Sequence, residues 1–113
     1  MDLAAGRQAL VDALSSAPDV TGHAFRPAKP RVGDAWPLLG PMERADGWAF
    51  TVLWRVLVWL PQDGPGSSGW VERHVNELVD ALTPVGFVER IEPLTIPDGD
   101  NERFALQFQL RSE

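Results

Sequence analysis

Two histidines and three short groups of acidic, glycine-rich and basic residues are the parts of this 113-residue chain that could do chemistry. His23 and His74 are the candidates for a general base, but the sequence places no serine or acid to orient either ring. The chain has no cysteine, which excludes thiol nucleophiles, disulfides and thiolate metal sites. Two histidines also fall short of the three or four ligands that a histidine-built zinc site needs.

Two loops match ligand-binding motifs only in part. Asp98, Asp100 and Glu102 resemble half of a calcium loop, but the twelve-residue pattern with its later bidentate glutamate is missing. This favours a solvated hairpin turn. The glycine-rich residues 64–69 precede a helix and could bind phosphate through free amides, yet they lack the Gly-Lys-Ser/Thr ending. We therefore predict no catalytic residues, no metal, no cofactor and no enzymatic activity.

The charged residues argue against a protein that reads duplex DNA. Ten basic and sixteen acidic side chains give a formal charge of −6, whereas such a reader presents a basic face. The one basic cluster consists of Arg26, Lys29 and Arg31. We expect this cluster to contact a protein partner, with a nucleic-acid contact as the alternative.

Hydrophobic periodicity predicts one domain, residues 1–113, with an α+β fold. Two helices are expected to cover one face of a mainly antiparallel sheet, with a long Pro-rich arm between its strands. A polar turn is predicted at residues 61–69 and another at residues 97–101. The predicted helices span residues 2–16 and 69–82, and the predicted strands span residues 20–25, 47–60, 87–96 and 102–110.

Residues 26–46 form the Pro-rich arm of this prediction. Four prolines and two glycines recur there, so neither a long helix nor a central strand is expected. The segment also carries four large apolar side chains that favour burial: Trp36, Leu38, Leu39 and Met42. Two interpretations are open, a loop folded back over its own core or an arm that buries these side chains on a neighbouring molecule.

The predicted strand 47–60 is apolar on both faces. The face that includes Trp48, Val52 and Val56 should pack against the helices, whereas the other face has no obvious partner in so short a chain. This excess of apolar surface indicates association. The predicted subunit or partner interface therefore comprises Arg26, Lys29, Arg31, Trp36, Leu38, Leu39, Arg55 and Trp59.

No segment of the sequence is expected to enter a membrane. The longest apolar stretch, residues 48–60, is interrupted by Thr51 and Arg55 and is shorter than the ~20 residues of a transmembrane helix. The N-terminus lacks the basic and then apolar pattern of a secretory signal. We expect the protein to be made and assembled in the cytoplasm.

The order of the elements and the residue patterns within them resemble those of one family, the tail terminator proteins of long-tailed, non-contractile bacteriophages, particularly phages of actinobacteria. The resemblance covers the whole chain. The matching segments are Arg-Gln-Ala-Leu at 7–10, Gly-Trp-Ala-Phe-Thr-Val at 47–52, Trp-Val-Glu-Arg-His-Val at 70–75, Pro-Val-Gly-Phe at 84–87 and Phe-Ala-Leu-Gln-Phe at 104–108.

This resemblance implies a structural role in the virion. Such proteins form a six-membered ring on the head-proximal end of the tail tube, stop its polymerisation and join the head connector or head-completion protein. The implied partners are further copies of the chain, the major tail tube protein and that connector. Genomic DNA would pass through the lumen without specific binding, and a ring of six acidic chains would repel it.

Two other functions stay open at this point. One is another neck or tail-tube component of similar size, such as a head-completion protein. The other is a small ligand-binding α+β domain whose pocket is lined by some of the five tryptophans.

Overall fold

A computed structural model describes residues 2–47 and 49–112, which form two α-helices and a five-stranded sheet. Trp48, which the sequence analysis placed on the helix-facing side of a strand, lies outside the described residues. None of the helices in the described ranges is long and apolar enough to cross a membrane. The elements are α1 (Leu3–Ser16), β1 (Thr21–Gly22), β2 (Asp34–Arg44), β3 (Phe50–Trp59), α2 (Gly64–Leu82), β4 (Phe87–Asp98) and β5 (Asn101–Ser112).

The sheet is mostly antiparallel, with strand order β1-β2-β3-β5-β4. Only the two-residue strand β1 pairs in parallel, with the start of β2. Both helices pack on one face of the sheet, which confirms the predicted α+β class. We call the face away from the helices the open face. β2 and β4 are the edge strands along most of their length, as Pro93 in β4 indicated.

The first helix forms as the sequence predicts. Asp2 precedes it and accepts a hydrogen bond from the Ala5 amide at 3.0 Å, which satisfies one of the free donors of the first turn. Leu10 and Leu14 lie on the buried stripe of the helix. The helix ends before Pro18, which cannot continue it.

The second helix begins five residues earlier than predicted. Residues 64–69 were expected to form a flexible turn, but they make the first turns of α2. Asp63 accepts a hydrogen bond from the Gly66 amide at 2.7 Å, and Pro65 occupies a first-turn position that needs no amide donor. These two start signals outweigh the low helix propensity of the three glycines.

Residues 34–44 of the predicted Pro-rich arm form strand β2, which the sequence analysis did not predict. The strand pairs with β3 in antiparallel register, and the register shifts between Leu39 and Met42. Gly40 lies within this bulge, where any side chain would collide with the Leu53 carbonyl oxygen. An edge position and a bulge are where a strand tolerates proline, which explains how β2 includes Pro37 and Pro41.

The main core lies between the helices and the sheet. Alternate residues of β3 point into it, from Val52 to Val58, as predicted for this strand. The inward set predicted for the last strand is confirmed for Leu106 and Phe108, whereas Phe104 at its start is partly exposed. The buried residues of this core are Leu10, Leu14, Ala17, Val20, Ala35, Val52, Trp54, Val56, Val58, Leu60, Trp70, Leu78, Leu82, Leu106, Phe108 and Leu110.

Strands β4 and β5 form a hairpin that is longer than predicted. The ladder extends to the pair Asp98 and Asn101, so the turn consists of only two residues rather than five. Gly99 in this turn has a φ of 61°, a conformation that glycine adopts without strain. The hairpin reaches beyond the end of β3 and brings its tip toward the segment that precedes β2.

Candidate assembly interface

A second, smaller apolar cluster lies on the open face. Trp36 of β2 packs against Trp59 of β3, with ring centres 6.5 Å apart and planes tilted by 40°. Both side chains are almost fully buried within the chain. The cluster, called the tryptophan cluster below, consists of Trp36, Leu57, Trp59, Ile96 and Ala105. Two of the predicted interface residues therefore fill the protein's own interior, and Ala105, predicted to face outward, lies there too.

Arg26 covers the tryptophan cluster. Its guanidinium carbon lies 5.8 Å and 5.6 Å from the ring centres of Trp36 and Trp59. The same group donates a hydrogen bond to the Pro97 carbonyl oxygen at 2.9 Å and lies 3.4 Å from the Asp98 carboxylate. A cation that lies over two aromatic rings and also binds the tip of a hairpin stabilises the folded chain. Arg26, predicted to bind a partner, is thus used in an intramolecular contact.

The other two basic residues of the predicted cluster lie on the surface. Lys29 and Arg31 are exposed, and in the described ranges neither side chain makes an ion pair. The segment is instead ordered through its backbone, because the Arg31 amide donates a hydrogen bond to the Asp34 carboxylate at 2.8 Å. The structure separates the three basic residues rather than joining them in one site.

Leu38 and Leu39, predicted to act together, lie on opposite faces of the sheet. Leu38 is paired with Arg55 and lies on the open face, whereas Leu39 is paired with Trp54 and lies on the helix side. Both side chains are exposed. They therefore cannot belong to one flat contact surface.

The distal half of the β2–β3 hairpin carries an exposed apolar surface on the helix side. Leu39, Met42 and Phe50 are 36% to 43% exposed, and their register partners place them on the helix side. The Arg44 guanidinium carbon lies 4.7 Å from the Phe50 ring centre. These four residues are called the hairpin patch below.

Arg55 occupies the middle of the open face. It lies on β3 between Leu38 of β2 and Gln109 of β5, and its side chain is exposed. In residues 2–47 and 49–112 it makes no ion pair, whereas Arg90 and Arg111 on the same face pair with glutamates. A shallow cavity of about 110 Å³ lies beside it, lined by Pro41, Leu53, Trp54, Arg55, Glu89, Gln109 and Leu110.

An apolar groove at the opposite edge of the sheet was not predicted from the sequence. It has a volume of about 310 Å³ and lies where α2 ends and β4 begins. Phe87, which is 72% exposed, forms one wall. This groove, called the edge groove below, is lined by Val79, Thr83, Gly86, Phe87 and Val88. The predicted strand around Phe87 gave no signal for it, because the groove forms only where α2 meets the strand.

Both edge strands carry prolines that hinder the addition of another strand. Pro37 of β2 directs its carbonyl oxygen away from β3, where it accepts a hydrogen bond from Arg7 at 2.8 Å. Arg7 also binds the Ala24 carbonyl oxygen, so it covers the edge at this point. On β4, Pro93 and Pro97 lie four residues apart and have no amide to donate. These prolines disfavour a continuation of the sheet at either edge.

The two histidines bind carboxylates, but in separate places. His74 is buried, stacks on Trp70 with ring centres 4.2 Å apart, and lies 3.1 Å from the Asp19 carboxylate. Asp19 has a φ of 61° and is 55 residues from His74 in sequence, so no spacing could have revealed this pair. His23 lies 3.0 Å from the Asp34 carboxylate. In each case the carboxylate fixes the ring within the fold.

The acidic turn and the glycine-rich loop each use their polar groups internally. Asp98 binds Arg26 and Arg103, and Glu102 accepts a hydrogen bond from Thr95 at 3.1 Å. The described ranges contain no group of three or more histidines or acids that could hold a metal ion. In the glycine-rich loop, the Gly66 amide is occupied by Asp63.

The comparisons with known proteins do not extend this description. The chain matches no protein-family model, and a search of curated proteins finds no significant relative.

Proposed function

We propose that this chain is a structural virion protein that forms a six-membered ring on the head-proximal end of a bacteriophage tail tube. In this role it stops tube polymerisation and provides the surface that joins the head connector or a head-completion protein. The proposal rests on the resemblance of the sequence to tail terminators and on the surfaces described above. The ring would assemble in the host cytoplasm and remain in the neck of the virion.

The observation that carries the proposal is the hairpin patch. Leu39, Met42 and Phe50 form an apolar stripe at one end of the sheet, on the face whose other part is buried against the helices in the main core. Neighbouring exposed apolar side chains can mark a site of protein–protein contact. A subunit of an assembly has a reason to keep such a stripe outside its own core.

A cap also needs two different ends. A tube of identical rings presents the same growing end after every addition, so the terminating subunit must bind the tube with one surface and offer no tube-like surface on the other. The sheet of this protein supplies unlike surfaces. One face packs against helices, whereas the open face carries Arg55 between the exposed Leu38 and the half-buried Gln109.

The acidic charge suits a channel for DNA. The formal charge of the chain is −6, so six copies would surround the lumen with about −36. Like charge repels the phosphate backbone and allows the duplex to pass without binding. Specific DNA affinity is not expected.

Deletion of the gene from the phage that carries it tests this proposal. Because nothing would end the tube, we expect headless tails with overlong tubes beside normal DNA-filled heads in electron micrographs. Complementation with the wild-type gene is the control and should restore the normal length. Tails of normal length that already join heads would contradict the proposal, and unjoined tails of normal length would instead indicate a head-completion protein.

A further inference from the structure

The charges of the molecule are divided between two regions. Residues 21–60, which include the β2–β3 hairpin, carry five basic and three acidic side chains, a net charge of +2. The rest of the chain carries five basic and thirteen acidic side chains, a net charge of −8. Opposite charges on two regions of one molecule favour contacts between unlike surfaces of neighbouring copies.

The hairpin patch and the edge groove have complementary characters. The patch presents Met42 and Phe50 beside the basic Arg44, which in the described residues makes no ion pair. The groove presents the exposed ring of Phe87, and the exposed acid Asp80 directly follows the lining residue Val79 in α2. Each surface therefore combines apolar side chains with a charge of opposite sign.

The two surfaces lie at opposite edges of the sheet and at the same height along its strands. Phe87 of β4 pairs with Arg111 of β5, which pairs with Leu53 of β3. Leu53 lies between the partners of Leu39 and Met42. Three strand spacings of ~4.8 Å separate the two edges. A closed ring whose strands run along its axis requires this arrangement, because rotation without translation brings one side of a subunit onto the other side of its neighbour at equal height.

We propose that the hairpin patch of one copy docks in the edge groove of the next copy, head to tail around the ring. This inference rests on the proposed ring and specifies its subunit contact. Met42 and Phe50 pack against Phe87 of the neighbour, and Arg44 lies near the neighbour's Asp80. The strands then run roughly along the ring axis, and the prolines of both edge strands hinder a competing contact by strand addition.

Cysteine cross-linking tests this contact cleanly, because the chain has no cysteine of its own. The variant with both Met42→Cys and Phe87→Cys should give a ladder of dimers, trimers and larger species on oxidation, ending at the closed ring. Each single variant should stay monomeric on a non-reducing gel, since a head-to-tail contact never places identical residues together. Circular dichroism of each variant checks that the fold is retained.

The matched control combines Met42→Cys with Ser68→Cys, an exposed position near the start of α2. It should give no ladder. A second pair, Phe50→Cys with Thr83→Cys, crosses the same contact at another point and should reproduce the ladder. A dimer from Met42→Cys alone would show a two-fold contact instead, and the absence of a ladder from both pairs would overturn the inference.

The outcomes separate this inference from the proposed function. If the cysteine pairs give a ladder but deletion of the gene leaves tail length unchanged, the subunit contact is supported and the tail-terminating role is contradicted. If deletion gives overlong tails but neither cysteine pair gives a ladder, the tail-terminating role is supported and this subunit contact is contradicted.

Discussion

The two faces of the sheet are both apolar near the end where β1 pairs, yet they are completed in different ways. The helix side is closed by α1 and α2. Their apolar side chains, among them Leu10 and Leu82, are buried against three strands. In residues 2–47 and 49–112 no helix covers the open face. Its five-residue tryptophan cluster is closed by one arginine, Arg26, and by the tip of the β4–β5 hairpin.

This difference shows where the surplus apolar surface of the chain is located. The alternation of strand β3 indicated an uncovered second face, but Leu57 and Trp59 on that face are buried by the chain itself. The large apolar side chains that stay exposed among the described residues include those of the hairpin patch and Phe87, and also Phe25, Val32, Leu38 and Phe104. The surfaces that we propose for assembly, the hairpin patch and the edge groove, lie at the two edges of the sheet.

A matched pair of truncations gives the largest expected effect. Leu106→Ala removes a fully buried side chain from the main core, and Leu57→Ala removes one of the same type from the tryptophan cluster. Both residues lie on central strands. We expect Leu106→Ala to lower the free energy of unfolding by about 4 kcal/mol and Leu57→Ala by about 2 kcal/mol, because a cluster open on one side relaxes around the cavity more easily.

Urea unfolding of the two variants and the wild type measures both values. As a control, the slope of the free energy of unfolding against urea concentration should be equal for all three proteins, which indicates that only stability has changed. If Leu57→Ala lowers the free energy of unfolding as much as Leu106→Ala does, the open face is packed as completely as the helix side. That result would contradict the difference between the two faces.

The neighbouring leucines of β2 give a smaller effect on stability but a clear one on assembly. Leu38→Asp and Leu39→Asp each change a side chain that is about two-fifths exposed, so each should lower the free energy of unfolding by a similar amount, about 1 to 2 kcal/mol. Leu39→Asp places a charge in the hairpin patch and should weaken self-association by at least ~10-fold, whereas Leu38→Asp should leave it unchanged. Sedimentation over a range of concentrations measures this association. The reverse order of effects would mean that the open face forms the ring contact.

The elements with regular periodicity could be predicted from the sequence, and those governed by proline or by distant contacts could not. The helix α1 and strands β3 and β5 have clear hydrophobic patterns, and their bounds are close to those expected. β2 was hidden because prolines argue against strands, although Pro37 and Pro41 are tolerated at an edge and a bulge. The early start of α2 depends on the capping contact of Asp63 and on Pro65 in the first turn.

The predicted interface set stays a prediction, and its arrangement could not be read from the sequence. Leu38, Leu39 and Arg55 are exposed, whereas Trp36 and Trp59 are buried within the chain. The sequence could not show that the leucines lie on opposite faces, because the pairing register of β2 was unknown. It also could not show that Arg26 closes the tryptophan cluster, since that contact spans 71 residues to Pro97.

The central claim, that this protein ends a tail tube, is tested most directly by tube length in vitro. Purified wild-type protein is added to assembling tube protein of the same phage, and lengths are measured in electron micrographs. We predict that elongation stops early and that a ring is visible at one end of each tube. The same length distribution with and without the protein would contradict the account.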